Sequence, residues 1–368
     1  MDFLEEIGAR RYLNAEDTFT KNGASRMSPA VYQAMQEASA WWVDLYEVQR
    51  ETGRAIARMT RNEGAYITSG AACGLTLCAA AALCGEDWDA WPALPDASRL
   101  AKNGAVLLTP QLTPYACSVA ASGARIAQAG APGEYVSARV LEQAVTEKTA
   151  VIFYFLYHGA CLSLPLEEAL QVAKAKGVPL VVDAAAQLPP AENLWKYTRM
   201  GADLVVFSGG KALAGPQDSG LVFGSQKWIE RFIRFGAPEA GVCRGCKATR
   251  ESMAGLYAAL KEFLAEDEEA RQKQLMEKCL LGRRTMERCG FRNIRLDPLG
   301  PVGQASPRVY GEPPAATAAA LRESLREAGL LVGLEGEGIW FHPQMLTLQQ
   351  TQEACRILEE QAGRPAQA

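Results

Sequence analysis

The apolar positions through the middle of this chain form short uninterrupted runs, not an alternation. They read AYIT (65–68), GAVLLT (104–109), ARIAQ (124–128), AVIFYFL (150–156), VPLVVD (178–183), DLVVFS (203–208) and SGLVFG (219–224). Runs rich in β-branched residues and bounded by Gly, Pro and Asp are the mark of strands buried on both faces. Helical patterns separate many of them. One is PLEEALQVAKAKG (165–177), acidic at its start and ending in a glycine C-cap. Strands alternating with helices predict a mostly parallel seven-stranded sheet with helices on both faces.

The flanks of this region read differently. Ser28 followed by Pro29 predicts a helix start, with serine as N-cap and proline at the first helical position. The long uncharged run ITSGAACGLTLCAAAALCG (67–85) is broken by Ser-Gly and falls short of the roughly 20 apolar residues a spanning helix needs. It predicts a buried helix in a soluble protein. From residue 250 the pattern shifts to a 3.6-residue stripe. Met253, Leu256, Leu260 and Phe263 or Leu264 share one face of a long predicted helix, 250–280. Shorter strands and helices follow. The expected organisation is an N-terminal arm (1–27), a large domain (28–250), the helix with a smaller C-terminal α+β domain (251–362), and a disordered tail (363–368).

Composition narrows the function. The chain has 368 residues, enough for more than one lobe, and carries a net charge of −4. That balance argues against a long polyanionic partner such as a nucleic acid. No signal peptide is visible at the start, and ten cysteines lack a disulfide framework, so a reduced, cytoplasmic protein is expected. Cys243 and Cys246 form one C-x-x-C pair. A zinc site would need further ligands nearby, and the two histidines, His158 and His342, are not in a ligand spacing. No metal is expected, and the pair reads as packed thiols in preference to a redox couple.

Three features follow predicted strands and so belong to one sheet edge. Ser69-Gly70-Ala71-Ala72 opens a helix with small residues, which leaves backbone N–H groups for an anion. Asp183 stands after five apolar residues and needs a partner. Lys211 stands in VVFSGGKALAGPQ, without the glycine and Ser/Thr positions of a phosphate-binding P-loop. An anion site, a lone carboxylate and a lysine able to form a Schiff base together point to pyridoxal 5′-phosphate (PLP).

The stretches YLNAEDTFTKNGASRMSP, AYITSGAACGLTLCAAAALCG, VVDAAAQLPP, GADLVVFSGGKALAGPQDSGLVFG and GVCRGCKATRESMAGLYAAL cover roughly residues 10–265. They resemble fold-type I PLP-dependent enzymes of the selenocysteine-synthase-like group, which includes L-seryl-tRNA selenium transferase and D-glucosaminate phosphate ammonia-lyase. The resemblance implies a Schiff base on Lys211 and a bond from Asp183 to the pyridine nitrogen. It implies phosphate contacts from Gly70, Ala71, Ala72 and the Ser208 hydroxyl. Either Tyr115 or Gln111 would stack on the cofactor ring, and Gln187 would approach its phenolic oxygen. Arg244 and Lys247 match a basic pair that would meet phosphate or substrate, and Arg308 is a candidate for a substrate carboxylate. His342 reads as a packed histidine.

Two departures bear on function. The tRNA-dependent members carry an extension before the core, whereas here the core-like motif starts near residue 12. The Pro-Pro-x-x-x-Arg run of relatives is replaced by GLLVGLEGEGIWFHPQML. The expected activity is an α,β-eliminating lyase releasing ammonia and a 2-oxo acid from a small amino acid or amino-sugar acid. The alternatives are an aminotransferase, a racemase or an aldolase, and beyond these tRNA-dependent selenium transfer or a non-catalytic PLP-binding protein. A homodimer is expected, with no membrane partner.

Overall fold

A computed structural model describes residues 2–87, 89–156, 162–300 and 303–363. His158 and residues 364–368 of the expected tail lie outside them. The described strands are β1 (Leu13–Ala15), β2 (Gly64–Thr68), β3 (Gly104–Leu108), β4 (Arg125–Ala129), β5 (Thr149–Phe155), β6 (Leu180–Asp183), β7 (Leu204–Ser208), β8 (Gly220–Gly224), β9 (Arg292–Asp297), β10 (Arg308–Glu312), β11 (Leu330–Glu335) and β12 (Gly338–Phe341). The chain forms two compact units, Met27–Ala265 and Met1–Arg26 with Glu266–Ala368.

The larger unit holds a seven-stranded sheet in the order β2-β8-β7-β6-β5-β3-β4. Every neighbouring pair is parallel except those made by β8, which runs against β2 and β7. The continuous apolar runs are explained by two cores. Val106, Ile152, Val182, Val205 and Phe207 pack into one layer with Ile56, Leu170, Leu194 and Leu256 from surrounding helices. Their strand neighbours Leu107, Val151, Phe153, Val181, Leu204 and Val206 pack into the other with Leu75, Leu77 and Phe232. Successive side chains point to opposite faces, so a strand covered on both sides must be apolar throughout. The helix Gly70–Cys84 is buried from Gly74 to its end, which accounts for its alanine-rich, stripe-free composition. Ser28 accepts the Val31 N–H at 3.3 Å with Pro29 in the first turn. Gly177, at φ 60°, ends the helix Leu166–Lys176.

The single long helix expected over 250–280 is two helices, Arg250–Ala265 and Glu268–Arg288. Asp267 takes an extended backbone and accepts the Glu269 and Ala270 N–H groups at 2.9 and 3.1 Å, which starts the second helix. The chain passes from one compact unit to the other at this break, not at residue 250.

The smaller unit has a five-stranded sheet in the order β1-β11-β12-β10-β9. Its apolar face, with Val309, Leu330, Val332, Ile339 and Phe341, packs with Leu275, Met286, Leu321, Leu325 and Leu358 from three helices. The segment expected as a separate N-terminal arm supplies β1, which pairs in parallel with β11.

Candidate active site

Six strands of the large-unit sheet run in one direction, and five of them, β2, β3, β5, β6 and β7, end at Thr68, Leu108, Phe155, Asp183 and Ser208 along one edge. The antiparallel β8 begins there, with Gly220 in register with both Thr68 and Ser208. Open α/β sheets bind ligands at this carboxyl edge.

Asp183 is the last residue of β6 and is buried. Its Oδ1 accepts the Ala185 N–H at 3.0 Å. Burial pushes its carboxyl above the usual range, and the Ala185 bond and the positive charge of Lys211 pull it back. The structure therefore brings a desolvated carboxylate within the field of a lysine that is 28 positions later in the chain. The loop carrying Lys211 is braced by its own backbone. Gly209 N–H donates to Ser219 O and Gly215 N–H to Gly209 O, each at 2.9 Å, and Ala214 N–H donates to Lys211 O at 2.9 Å. A methyl on Gly210 would stand 2.7 Å from Gln217 Cα. The Ser-Gly-Gly run is thus set by close backbone packing around the lysine.

The helix Gly70–Cys84 starts at the same edge. Ser69 makes no side-chain cap, so the Gly70–Ala72 amides keep their anion-binding capacity. Gly70 sits at φ 80°, where glycine is favoured. Gly220 passes against it so closely that an added methyl would lie 2.5 Å from Gly70 O and 2.7 Å from Ala71 N. Ser208 ends β7 half-buried, its N–H 3.4 Å from Ala185 O. The 3-10 turn Arg244–Cys246 is tied to the helix start, with Ser69 N–H donating to Cys246 O at 3.3 Å. This bond holds the exposed Arg244 and Lys247 on a loop beside the start of the helix Gly70–Cys84.

The remaining candidates divide. Gln111 is fully buried and its amide is committed. Its Oε1 accepts Phe155 N–H at 2.9 Å and its Nε2 lies 3.1 Å from Ser163 Oγ. Tyr115 caps the helix Ala116–Ala120 and is 51% exposed. Gln187 donates to Leu156 O at 3.0 Å. In the smaller unit, Arg308 lies buried on β10 between two carboxylates, 3.1 Å from Glu335 and 3.4 Å from Asp297, with Trp340 beneath it. His342 is buried, its Nε2 2.8 Å from Ser306 Oγ and its Nδ1 3.7 Å from Asp17. The meeting of the Cys246 loop with the helix start escaped the sequence reading. The one available signal was a third cysteine, Cys73, in that helix's first turn.

Residues 118–288 match the family model described as SelA, L-seryl-tRNA selenium transferase. D-glucosaminate-6-phosphate ammonia lyase of Salmonella typhimurium (strain 14028s / SGSC 2262) is 33% identical over 268 residues, 71% of this chain and 70% of that protein. The chain belongs to the selenocysteine-synthase-like family. Its members here are PLP-dependent lyases and transferases, and this chain is an enzyme of that class. A solved structure of D-glucosaminate-6-phosphate ammonia-lyase superposes with a TM-score of 0.84 and 26% identity, covering all of both chains. A structure of SPT with a PLP internal aldimine has a TM-score of 0.62 and 16% identity over 95% of this chain and 87% of its own. It shares the fold, fold-type I, that the sequence implied.

Proposed function

We propose that this protein is a PLP-dependent lyase that releases ammonia and a 2-oxo acid from a small amino acid or amino-sugar acid. The observation that carries this reading is the buried Asp183 carboxylate under the charge of Lys211, on the sheet edge where an uncapped helix begins. The donor set suits PLP at each point. A buried carboxylate matches a pyridinium N–H, backbone amides match a phosphate, and a lysine amine matches the carbonyl carbon.

Bound PLP supplies an electron sink that acidifies the substrate Cα–H and lets a β-substituent leave. The chain's residues do the rest. Asp183 holds the proton on the pyridine nitrogen, and the Ala185 N–H at its Oδ1 keeps the carboxylate oriented. Lys211 would hold the cofactor through Nζ, and the same atom would carry the Cα proton. Gly70, Ala71 and Ala72 N–H groups and the Ser208 hydroxyl bind the phosphate, with Arg244 and Lys247 adding positive potential. Because the Gln111 amide is spent on Phe155 and Ser163, Tyr115 is the group assigned to the ring face. Gln187 is assigned to the phenolic oxygen. Arg308 is neutralised by Asp297 and Glu335, so no carboxylate-binding role is given to it.

The assignment extends to setting. No described helix is long and apolar enough to cross a membrane, and we place the enzyme in the cytoplasm, acting on a small molecule without a nucleic-acid partner. We also assign a homodimer, the commonest closed assembly. Trp41 and Trp42, 74% and 96% exposed on the larger unit, favour a covering partner. Sedimentation of a single-chain species would overturn that part.

The test of activity is a screen of amino acids and amino-sugar acids with holoenzyme, assaying ammonia and 2-oxo acid. Equal release of both without an amine acceptor is the expected result. Oxo-acid formation that requires a second oxo acid and yields no free ammonia would instead identify an aminotransferase.

A further inference from the structure

Gln111 lies wholly inside the larger unit, where an amide is costly unless its polar atoms are paired. It is spent on extending the sheet. β3 and β5 pair as far as Leu107 and Phe153, and β3 itself ends at Leu108. The chain then leaves the sheet in the 3-10 turn Thr109–Gln111, while β5 runs on to Phe155. Ile152 and Leu156 both donate toward β6, to Pro179 O and Asp183 O. Amides alternate sides along a strand, so the Phe155 N–H faces β3, past the point where β3 has turned away. Gln111 Oε1 takes the place of the missing strand and accepts that N–H at 2.9 Å, while its Nε2 lies 3.1 Å from Ser163 Oγ.

The next amide of β5 reaches the other way, to the candidate catalytic carboxylate. Phe155 is in register with Asp183, and Leu156 N–H donates to Asp183 O at 3.0 Å. Gln111 and Asp183 thus hold successive amides of one strand end from opposite sides. On the β7 side the chain beyond Asp183 is tied by Ala184 N–H to Val206 O at 2.9 Å, and the Ala185 N–H holds Oδ1. On the β5 side the support is the strand end that Gln111 braces.

We propose that Gln111 is a positioning residue for Asp183. By standing in for a rung of β3 it fixes the end of β5, and through Leu156 it aims the Asp183 carboxylate at the cofactor's pyridine nitrogen. The inference deepens the function proposed above and rests on its assignment of Asp183. Packing alone does not call for glutamine here, because methionine has a similar length and volume. What methionine lacks is the acceptor. Without it the Phe155 N–H is buried and unpaired, and the strand end must shift to satisfy it. That shift passes through the Leu156 bond to Asp183. A hydrogen bond between charged groups weakens steeply as its length and angle depart from their optimum, so a small displacement is felt at the cofactor.

The experiment is a double-mutant cycle on the full chain, read by PLP titration. Gln111→Met should bind PLP at least about tenfold more weakly than the wild type. In an Asp183→Asn background, with no carboxylate left to aim, the same change should weaken PLP by less than about threefold. Ser163→Ala removes the partner of Nε2 and leaves the Phe155 acceptor in place. It should lower the apoprotein Tm yet keep PLP affinity within about twofold of wild type, which a purely structural role for Gln111 would not separate from Gln111→Met. Gln111→Asn, an amide one methylene short of Phe155, replaces Gln111→Met if that variant does not fold. An equal loss in both Asp183 backgrounds, or an equal loss in Ser163→Ala, overturns the proposal. So does a Gln111→Met protein that binds PLP as the wild type does while Asp183→Asn is weakened, and that result leaves the Asp183 assignment intact. If Asp183→Asn itself binds PLP as tightly as the wild type, the assignment of Asp183 is wrong and the role of Gln111 falls with it.

Discussion

Gly220→Ala probes the geometry on which the phosphate assignment depends. The new methyl would meet Gly70 O at 2.5 Å and Ala71 N at 2.7 Å, and Gly70 carbon more closely still. These are backbone atoms, so no side chain can swing away, and the helix start must retreat by about 1 Å to restore ordinary contact. Overpacking of this kind costs about 2 kcal/mol, which lowers the apoprotein Tm by roughly 4–8 °C for a unit of this size. The same retreat withdraws the Ala71 amide from the phosphate. Loss of one charge-assisted hydrogen bond is worth about 1.5–3 kcal/mol, or about 10- to 100-fold in PLP Kd. Gly224→Ala is the control, at the far end of the same strand. Its methyl meets Leu204 Cδ2 at 2.6 Å and Asp203 O at 3.0 Å. It should lower the Tm comparably yet leave PLP affinity within about twofold, because the site is distant. Melting of the apoproteins and PLP titration measure both quantities. A Gly220→Ala protein that melts early but binds PLP as tightly as the control would refute the placement of phosphate at residues 70–72.

Asp183→Asn separates function from stability. The wild-type carboxyl is raised by burial, so its folded-state pKa exceeds the unfolded value and its contribution to apoprotein stability is lost as pH rises through that raised value. The variant, which cannot ionise, should gain in relative Tm as pH rises from the unfolded carboxyl value, about 3.9, toward the raised folded value, while losing most turnover, about 10- to 100-fold or more for a lost bond to a charged nitrogen; a Tm difference that stays constant from about pH 3 upward would contradict the burial argument. For His342 the sign is opposite. Burial lowers its pKa most, Asp17 raises it, and Arg308 and Lys278 lower it further. Stability is full above the unfolded histidine value, near 6.5, and falls as pH drops below it, so His342→Gln should flatten the Tm-against-pH curve between pH 7 and pH 5. Arg308→Met should cost stability, by less than the roughly 3–5 kcal/mol of a fully buried ion pair because Asp297 and Glu335 keep part of their exposure, with KM for the amino substrate unchanged. A raised KM with an intact Tm would return Arg308 to the substrate site.

The large sheet was legible in the sequence because six of its strands are buried on both faces, and seven runs with intervening helices allow few alternatives; the edge strand β4, expected to be buried like the rest, is mostly exposed. Asp183 and Lys211 stood out for the same reason, as charges at the ends of such runs. The small unit was less legible. β1 is only Leu13-Asn14-Ala15, too short for any periodicity, and it pairs with β11 from the far end of the chain. The helix break at residues 266–267 lies in a charged stretch, EDEE, whose helix propensity is continuous. Only the capping geometry of Asp267 interrupts it. Gln111 and Tyr115 were equivalent in sequence because both follow β3. Gln111 was separated from Tyr115 by bonds to Phe155 and to Ser163, neither of which is local.

The most direct test of the account is to fix the cofactor to the chain. Purified protein loaded with PLP should be yellow, and borohydride reduction followed by peptide mapping should place the pyridoxyl group on Lys211, with Lys211→Ala taking up no reducible label. A colourless protein that takes up no PLP, or a label on any other lysine, would contradict the central claim.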